Sequence, residues 1–295
     1  MPLITSNGID ISYNSVGKGP SIVFIHGGYG GASTTVMARE ERWVDELKDS
    51  YNVVTYDRRS SGQSSYPDSK HSLDIFVEDL NGLVTGLGFS KIFLIGSSAG
   101  GPISIKYSVK YPESVAGLIL ANTSVRVWAH KGRATAAEEL AKRIDILKQK
   151  GPEEAFDILD ADDLDVKPFH LIGQKPNPKP PGFDENQSLL LKQLHASLNR
   201  ENKVKYFAGE LRNQAAYLDV DLTDYLKSIK IPSLIIHGDL DTQVPYDLGK
   251  ELSELIEGSE FVTVPGAGHG IMQWPKAALA IREFCDKLQN GRNLS

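Results

Sequence analysis

Short apolar runs that stop at glycine alternate with longer amphipathic stretches at both ends of this chain, and that alternation restricts its fold more than any other feature. The runs "SIVFIHGG" (21–28), "YNVVTYD" (51–57), "KIFLIG" (91–96) and "VAGLILAN" (115–122) are dense in β-branched and aromatic residues, so each predicts a buried strand. Between them, "ASTTVMAREERWVDELKDS" (32–50), "SLDIFVEDLNGLVTGLG" (72–88) and "AGGPISIKYSVKYP" (99–112) repeat apolar residues near helical spacing. Such alternation builds an α/β fold with a mostly parallel sheet, doubly covered by helices. The leading segments "LITSNG" and "DISYNSVGKGP" suit an antiparallel hairpin that opens the sheet.

From Thr123 to Lys230 the strand signals vanish. Three helical stretches, 134–151, 152–163 and 186–218, are separated by the proline-rich "QKPNPKPPGF" (174–183), which predicts an extended loop. Alternation then resumes with "IPSLIIHGD" (231–239), a helix over 246–257, "EFVTVPG" (260–266) and a last helix over 274–288. Strands on both sides of a strand-free block mean that the block is inserted. The expected organisation is an α/β core of residues 1–122 and 231–295 with a helical insertion at 123–230. A chain of 295 residues fits one large domain of that kind.

The net charge of −6 and the absence of a dense Lys/Arg tract argue against nucleic acid as a partner, since phosphate binding needs a basic face. No apolar run approaches the roughly 20 residues that span a bilayer, so no membrane partner is expected. The opening "MPLITSNGIDISY" has neither the basic nor the apolar region of a signal peptide. Cys285 is the only cysteine, so no internal disulfide can form, and its helical setting suits a buried thiol. These readings give a soluble, cytoplasmic protein whose oligomeric state the residues do not declare.

One pentapeptide points to chemistry. Gly96-Ser97-Ser98-Ala99-Gly100 fits G-x-S-x-G and lies between a predicted strand and a predicted helix, beyond the strand end where open α/β sheets bind ligands. A turn that tight needs small neighbours, exposes the Ser98 hydroxyl and sets the Ala99 N–H at a helix start, ready to hold an oxyanion. A serine attacks only if a base takes its proton and another group orients that base. His269, in a glycine-rich loop after the last predicted strand, supplies the base. Asp239 and Asp241, after the preceding strand, both qualify as the acid.

Four segments together, "HGG" (26–28), "YDRRSSGQS" (56–64), "GSSAGG" (96–101) and "HGDLDTQVP…GAGHG" (237–270), resemble the α/β-hydrolase fold superfamily over nearly the whole chain. The order serine, acid, histidine is also that of the family. The resemblance implies a triad of Ser98, Asp241 and His269, because the family's acid opens a "D-x-x-V-P" segment, here "DTQVP"; Asp239 is the alternative. It implies an oxyanion hole from the backbone of Gly28 and Ala99, and a His26 that shapes the oxyanion loop without titrating. Asp57 and Arg58 are expected to tie their loop down, and Ser60 stands where the family usually has glycine. Tyr29 fills the last place of the lipase-type HGGG motif and argues against that esterase class.

By the same resemblance the insertion caps the site, with Tyr29, Trp128, Phe169 and Tyr217 as candidates to contact a small-molecule substrate. No zinc-ligand cluster or phosphate-binding loop is present in the sequence, so no metal and no cofactor are expected. The implied reaction is hydrolysis of a carboxylic ester or lactone. A proline iminopeptidase and a C–C bond hydrolase for diketones use the same triad, although "GSSAGG" lacks the elbow usual in the iminopeptidases. A ligand-binding receptor with slow or no turnover is the alternative from another class.

Overall fold

The computed structural model describes residues 1–30, 41–126, 134–162, 176–182, 193 and 197–292. Eight strands form one sheet: β1 (Leu3–Ser6), β2 (Ile9–Val16), β3 (Ser21–Ile25), β4 (Asn52–Tyr56), β5 (Ile92–Ser97), β6 (Val115–Ala121), β7 (Ser233–Gly238) and β8 (Glu260–Val264). Their order across the sheet is β1-β2-β4-β3-β5-β6-β7-β8. The β1–β2 hairpin is antiparallel and β2 runs antiparallel to β4, while every pairing from β4 to β8 is parallel.

The central strands read as continuous apolar runs because both faces are buried, and their side chains sort by the two-residue period of a strand. In β5, Ile92 and Leu94 join one core layer, while Phe93 and Ile95 join the opposite one. The first layer packs against α2 (Leu73–Gly86) and α3 (Gly100–Lys110) through Phe76, Leu80, Ile103 and Tyr107. The second packs against α1 (Glu41–Leu47) and α8 (Pro275–Arg292) through Trp43, Leu47, Ile281, Phe284 and the fully buried Cys285. The helix expected over 32–50 is seen as α1; residues 31–40 lie outside the described part.

Between β6 and β7 the described residues form α4 (Ala134–Ile158), α5 (Arg200–Ala215) and the short α6 (Thr223–Leu226). Gly151, at φ 79, breaks α4 just before Pro152, so the two stretches expected there meet at a kink. The single helix expected over 186–218 is corrected at its described part: residues 197–199 are not helical and α5 begins at Arg200, since Asn199 is extended (ψ 162) and its side chain caps the Asn202 N–H, while residues 186–192 and 194–196 lie outside the described part. α5 docks on the loop after β4. Asn213 donates to the Arg59 carbonyl at 3.0 Å, Arg212 pairs with Asp68, and Gly209 lets the helix approach Ser60 and Tyr66. α7 (Tyr246–Leu255) completes the core between β7 and β8.

Candidate active site

Ser98 occupies the turn from β5 to α3 at φ 48, a left-handed angle that a serine adopts only under constraint. The constraint is a set of close bonds. Its N–H donates to the Ala121 carbonyl at 2.9 Å, and its own carbonyl accepts from the Thr123 hydroxyl at 2.6 Å. The flanking glycines follow from space. A Cβ on Gly96 would lie 2.3 Å from the Ser104 hydroxyl, and one on Gly100 would lie 2.3 Å from the Ile25 carbonyl oxygen. Only glycine lets β5, α3 and β3 approach that closely.

The loops after β7 and β8 bring two further side chains to Ser98. His269 Nε2 lies 2.8 Å from Ser98 Oγ, and His269 Nδ1 lies 2.8 Å from Asp241 Oδ2. An ionised carboxylate only accepts, so the imidazole proton sits on Nδ1 and the Nε2 lone pair faces the serine hydroxyl. The other Asp241 oxygen accepts the backbone N–H groups of Gln243 at 2.8 Å and Val244 at 2.9 Å. Burial alone would raise the Asp241 pKa. The charge and hydrogen bond of His269, the Val244 N–H and the neighbouring His237 outweigh it, and the carboxyl is held below its ordinary range. Asp239, the other candidate, is exposed and accepts the Gly266 N–H at 2.7 Å, so it is Asp241 that faces His269.

His237 is buried beneath this pair. Its Nε2 donates to the Val244 carbonyl at 2.9 Å, and burial lowers its pKa. It steadies the "DTQVP" turn. Asn122, at the end of β6, acts on the base loop from the sheet side: its Nδ2 donates to the Gly268 and His269 carbonyls at 2.9 and 2.8 Å, and its Oδ1 accepts from the Gly238 N–H at 3.2 Å.

The segment after β3 lies over Ser98. A Cβ on Gly27 would come within 3.0 Å of Ser98 Cβ, whereas Gly28, at φ +68, has nothing within 4 Å of that position. Among the described residues the Gly28 and Ala99 N–H groups have no backbone acceptor. His26 is buried and its Nδ1 donates to the Gly27 carbonyl at 2.7 Å, leaving Nε2 to accept from the Arg58 N–H and Nε at 3.4 Å. Burial, then the Arg58 charge, pushes its pKa down to about 3, so it is neutral.

Arg58 is fully buried and holds this loop: it donates to the Gly28 carbonyl at 2.5 Å and to the Tyr217 hydroxyl at 2.6 Å. The Tyr217 hydroxyl donates in turn to the Ala99 carbonyl at 2.8 Å. Tyr217 is wholly buried and braces the Ser98 turn, with the Tyr29 ring packed edge-on against it. Trp128 and Phe169 lie outside the described residues.

The "YDRRSSGQS" loop is tied down by more than Asp57 and Arg58. Asp57 accepts the Gln63 N–H at 3.0 Å, and burial raises its pKa to about 6. Arg59 makes a buried two-toothed pair with Asp79 of α2 at 2.5 and 2.6 Å, a tie that the motif does not display. Ser60, where glycine was the expectation, takes the left-handed angle anyway, at φ 54.

The model for the alpha/beta hydrolase fold matches residues 20–275. The chain belongs to the alpha/beta hydrolase fold family. This hydrolase is 26% identical over 280 residues to a bifunctional esterase/perhydrolase of Acinetobacter calcoaceticus, covering 90% of this chain and 92% of that one. It is 26% identical to a non-heme chloroperoxidase of Kitasatospora aureofaciens over 93% and 94% of the two chains. Among solved structures, a thermophilic esterase from Thermogutta terrifontis aligns with TM-score 0.71 and 23% identity over 97% and 98% of the chains. Among the described residues of the hydrolase no group of His, Cys, Asp and Glu is placed to hold a metal ion, and no helix is long and apolar enough to cross a membrane.

Proposed function

We propose that this hydrolase cleaves a carboxylic ester or lactone of a small, largely apolar substrate through an acyl-enzyme on Ser98. The observation that carries the reading is the continuous relay from Asp241 through His269 to Ser98, with both links at 2.8 Å. His269 Nε2 takes the Ser98 proton as Oγ attacks the carbonyl carbon. The Gly28 and Ala99 N–H groups, without backbone acceptors among the described residues, hold the oxyanion. His269 then protonates the leaving alkoxide, and water, deprotonated by the same nitrogen, releases the acid from the acyl-enzyme. Asp241 keeps the imidazole in the right tautomer and stabilises its charged form.

The insertion at 123–230 serves as the cap, with Tyr29 on the substrate side. The enzyme needs no cofactor and acts in the cytoplasm on a small molecule. An esterase name on both a curated relative and a solved structure supports this class of bond. The test is turnover of p-nitrophenyl acetate, butyrate and octanoate by the wild type and by Ser98→Ala. The expected result is multiple turnovers that fall at least ~10³-fold without the serine. A wild type inert on all three esters overturns the reading.

A further inference from the structure

The base loop of the triad is gripped from two sides, and only one of them belongs to the sheet. Asn122 takes the carbonyls of Gly268 and His269 from below. From the other side comes Asn177, a residue of the proline-rich stretch between β6 and β7, more than sixty positions from either loop it touches. Its Oδ1 accepts two backbone N–H groups, from His269 at 3.0 Å and from Thr242 at 3.0 Å. Thr242 directly follows Asp241. One carbonyl oxygen therefore joins the base to the segment that carries its acid.

The seat for this contact is built into the loop. Gly268 has no side chain, and a Cβ there would lie 2.7 Å from Asn177 Oδ1, 2.7 Å from Pro178 Cδ and 2.8 Å from Asn177 Cβ. Pro176 and Pro178 flank the asparagine, which fixes φ on both sides and restricts the residue before each proline to extended angles. The side chain is thus presented with little conformational freedom to lose. Among the described residues the hydrogen bonds of Asn177 are with the backbone N–H groups of Thr242 and His269, not with Ser98 or the Asp241 carboxylate.

We propose that Asn177 is a positioning residue, through which the inserted segment sets the distance between the Asp241 and His269 loops and so completes the relay. The proposal rests on the triad reading given above. An amide oxygen shared by two N–H donors fixes two loops at one point, and a base displaced by about 1 Å from its nucleophile can cost on the order of 10²-fold in rate. Substrate affinity has no part in it, because Asn177 Oδ1 bonds to the backbone of the two loops that carry Asp241 and His269.

The experiment compares wild type, Asn177→Ala and Asn177→Asp by ester kinetics and by the rate at which a fluorophosphonate labels Ser98, with melting temperature as a control for folding. In that labelling the serine oxygen bonds to phosphorus, fluoride leaves and the base removes the serine proton, so the rate reports the relay without any acyl-enzyme breakdown. Asn177→Ala is expected to lower kcat and the labelling rate together by about 10–100-fold, with KM within about twofold and a cooperative melt retained. Asn177→Asp keeps an oxygen in place and is expected to recover most of both rates. Wild-type labelling and kcat in Asn177→Ala overturn the proposal, as does an equal loss in the alanine and aspartate variants. Failure of the triad reading looks different: the wild type itself is then not labelled at Ser98.

Discussion

Asp241 meets His269 with one carboxylate oxygen while its other oxygen is held by the Gln243 and Val244 N–H groups. The two oxygens are therefore not interchangeable. In Asp241→Asn the amide oxygen takes the position with the two donors, and the NH₂ faces His269 Nδ1. The imidazole must then accept at Nδ1 and carry its proton on Nε2, pointing at Ser98. The expected loss in kcat is about 10⁴-fold with the fold intact. Steady-state kinetics beside a thermal melt check it; a loss below tenfold would contradict the assigned role of the carboxylate.

Tyr217 offers a test of support against substrate contact. Its hydroxyl bridges buried Arg58 and the Ala99 carbonyl. In Tyr217→Phe the guanidinium loses a buried acceptor, which costs about 1–3 kcal/mol of stability. KM for each ester should stay near the wild-type value. Urea unfolding gives the first number and kinetics the second; an altered KM at unchanged stability would make Tyr217 a substrate contact instead.

Gly100→Ala should fail where most glycine-to-alanine changes in a helix help. The new Cβ would meet the Ile25 carbonyl oxygen at 2.3 Å, a backbone atom in the middle of the sheet that cannot rotate away. Loss of soluble protein, or a large fall in melting temperature, is the expected outcome. Gly258→Ala, with nothing within 4 Å of the added carbon, is the comparison; its φ of +74 makes its cost backbone strain alone.

Stability should depend on pH through two opposing groups. Burial, then Arg59, lowers the His71 pKa to about 4 from its ordinary 6.5, so between those values the unfolded chain binds a proton that the folded one refuses. This contribution is complete above pH 6.5 and is lost as pH falls towards 4. Asp57 works in the other direction: its pKa is raised to about 6 from 3.8, so the folded state holds the extra proton and stability declines as pH rises across that interval. Between pH 7.5 and 4.5 the urea midpoint should fall less in His71→Gln than in the wild type, and more in Asp57→Asn. Equal slopes in all three proteins would count against both assignments.

Local pattern was enough for the sheet, the Ser98 turn and the loop that carries His269. A strand buried on both faces must be apolar throughout, as β3, β5 and β6 are, and a strand–turn–helix at G-x-S-x-G leaves a serine exposed; neither feature depends on distant residues. The choice between Asp239 and Asp241 was open in the residues alone and came from family resemblance, because two carboxylates two positions apart share every local property. Only the folded loop shows one turned into the Gln243 and Val244 N–H groups and the other out to Gly266. The start of α5 at Arg200 was hidden because the helical periodicity of the sequence runs through residues 197–199.

Asn122, Arg59 and Asn177 carried no readable signal for their roles. Each acts by two or three hydrogen bonds to groups 20 to 147 positions away, as with Arg59 on Asp79 and Asn122 on the His269 carbonyl, and nothing in a single chain records such a pairing. Hydrophobic period is written along the sequence because burial repeats with every turn or pleat. A hydrogen bond between distant loops is a single event without a period, so which asparagine meets which backbone N–H is settled only when the sheet has brought the loop ends together.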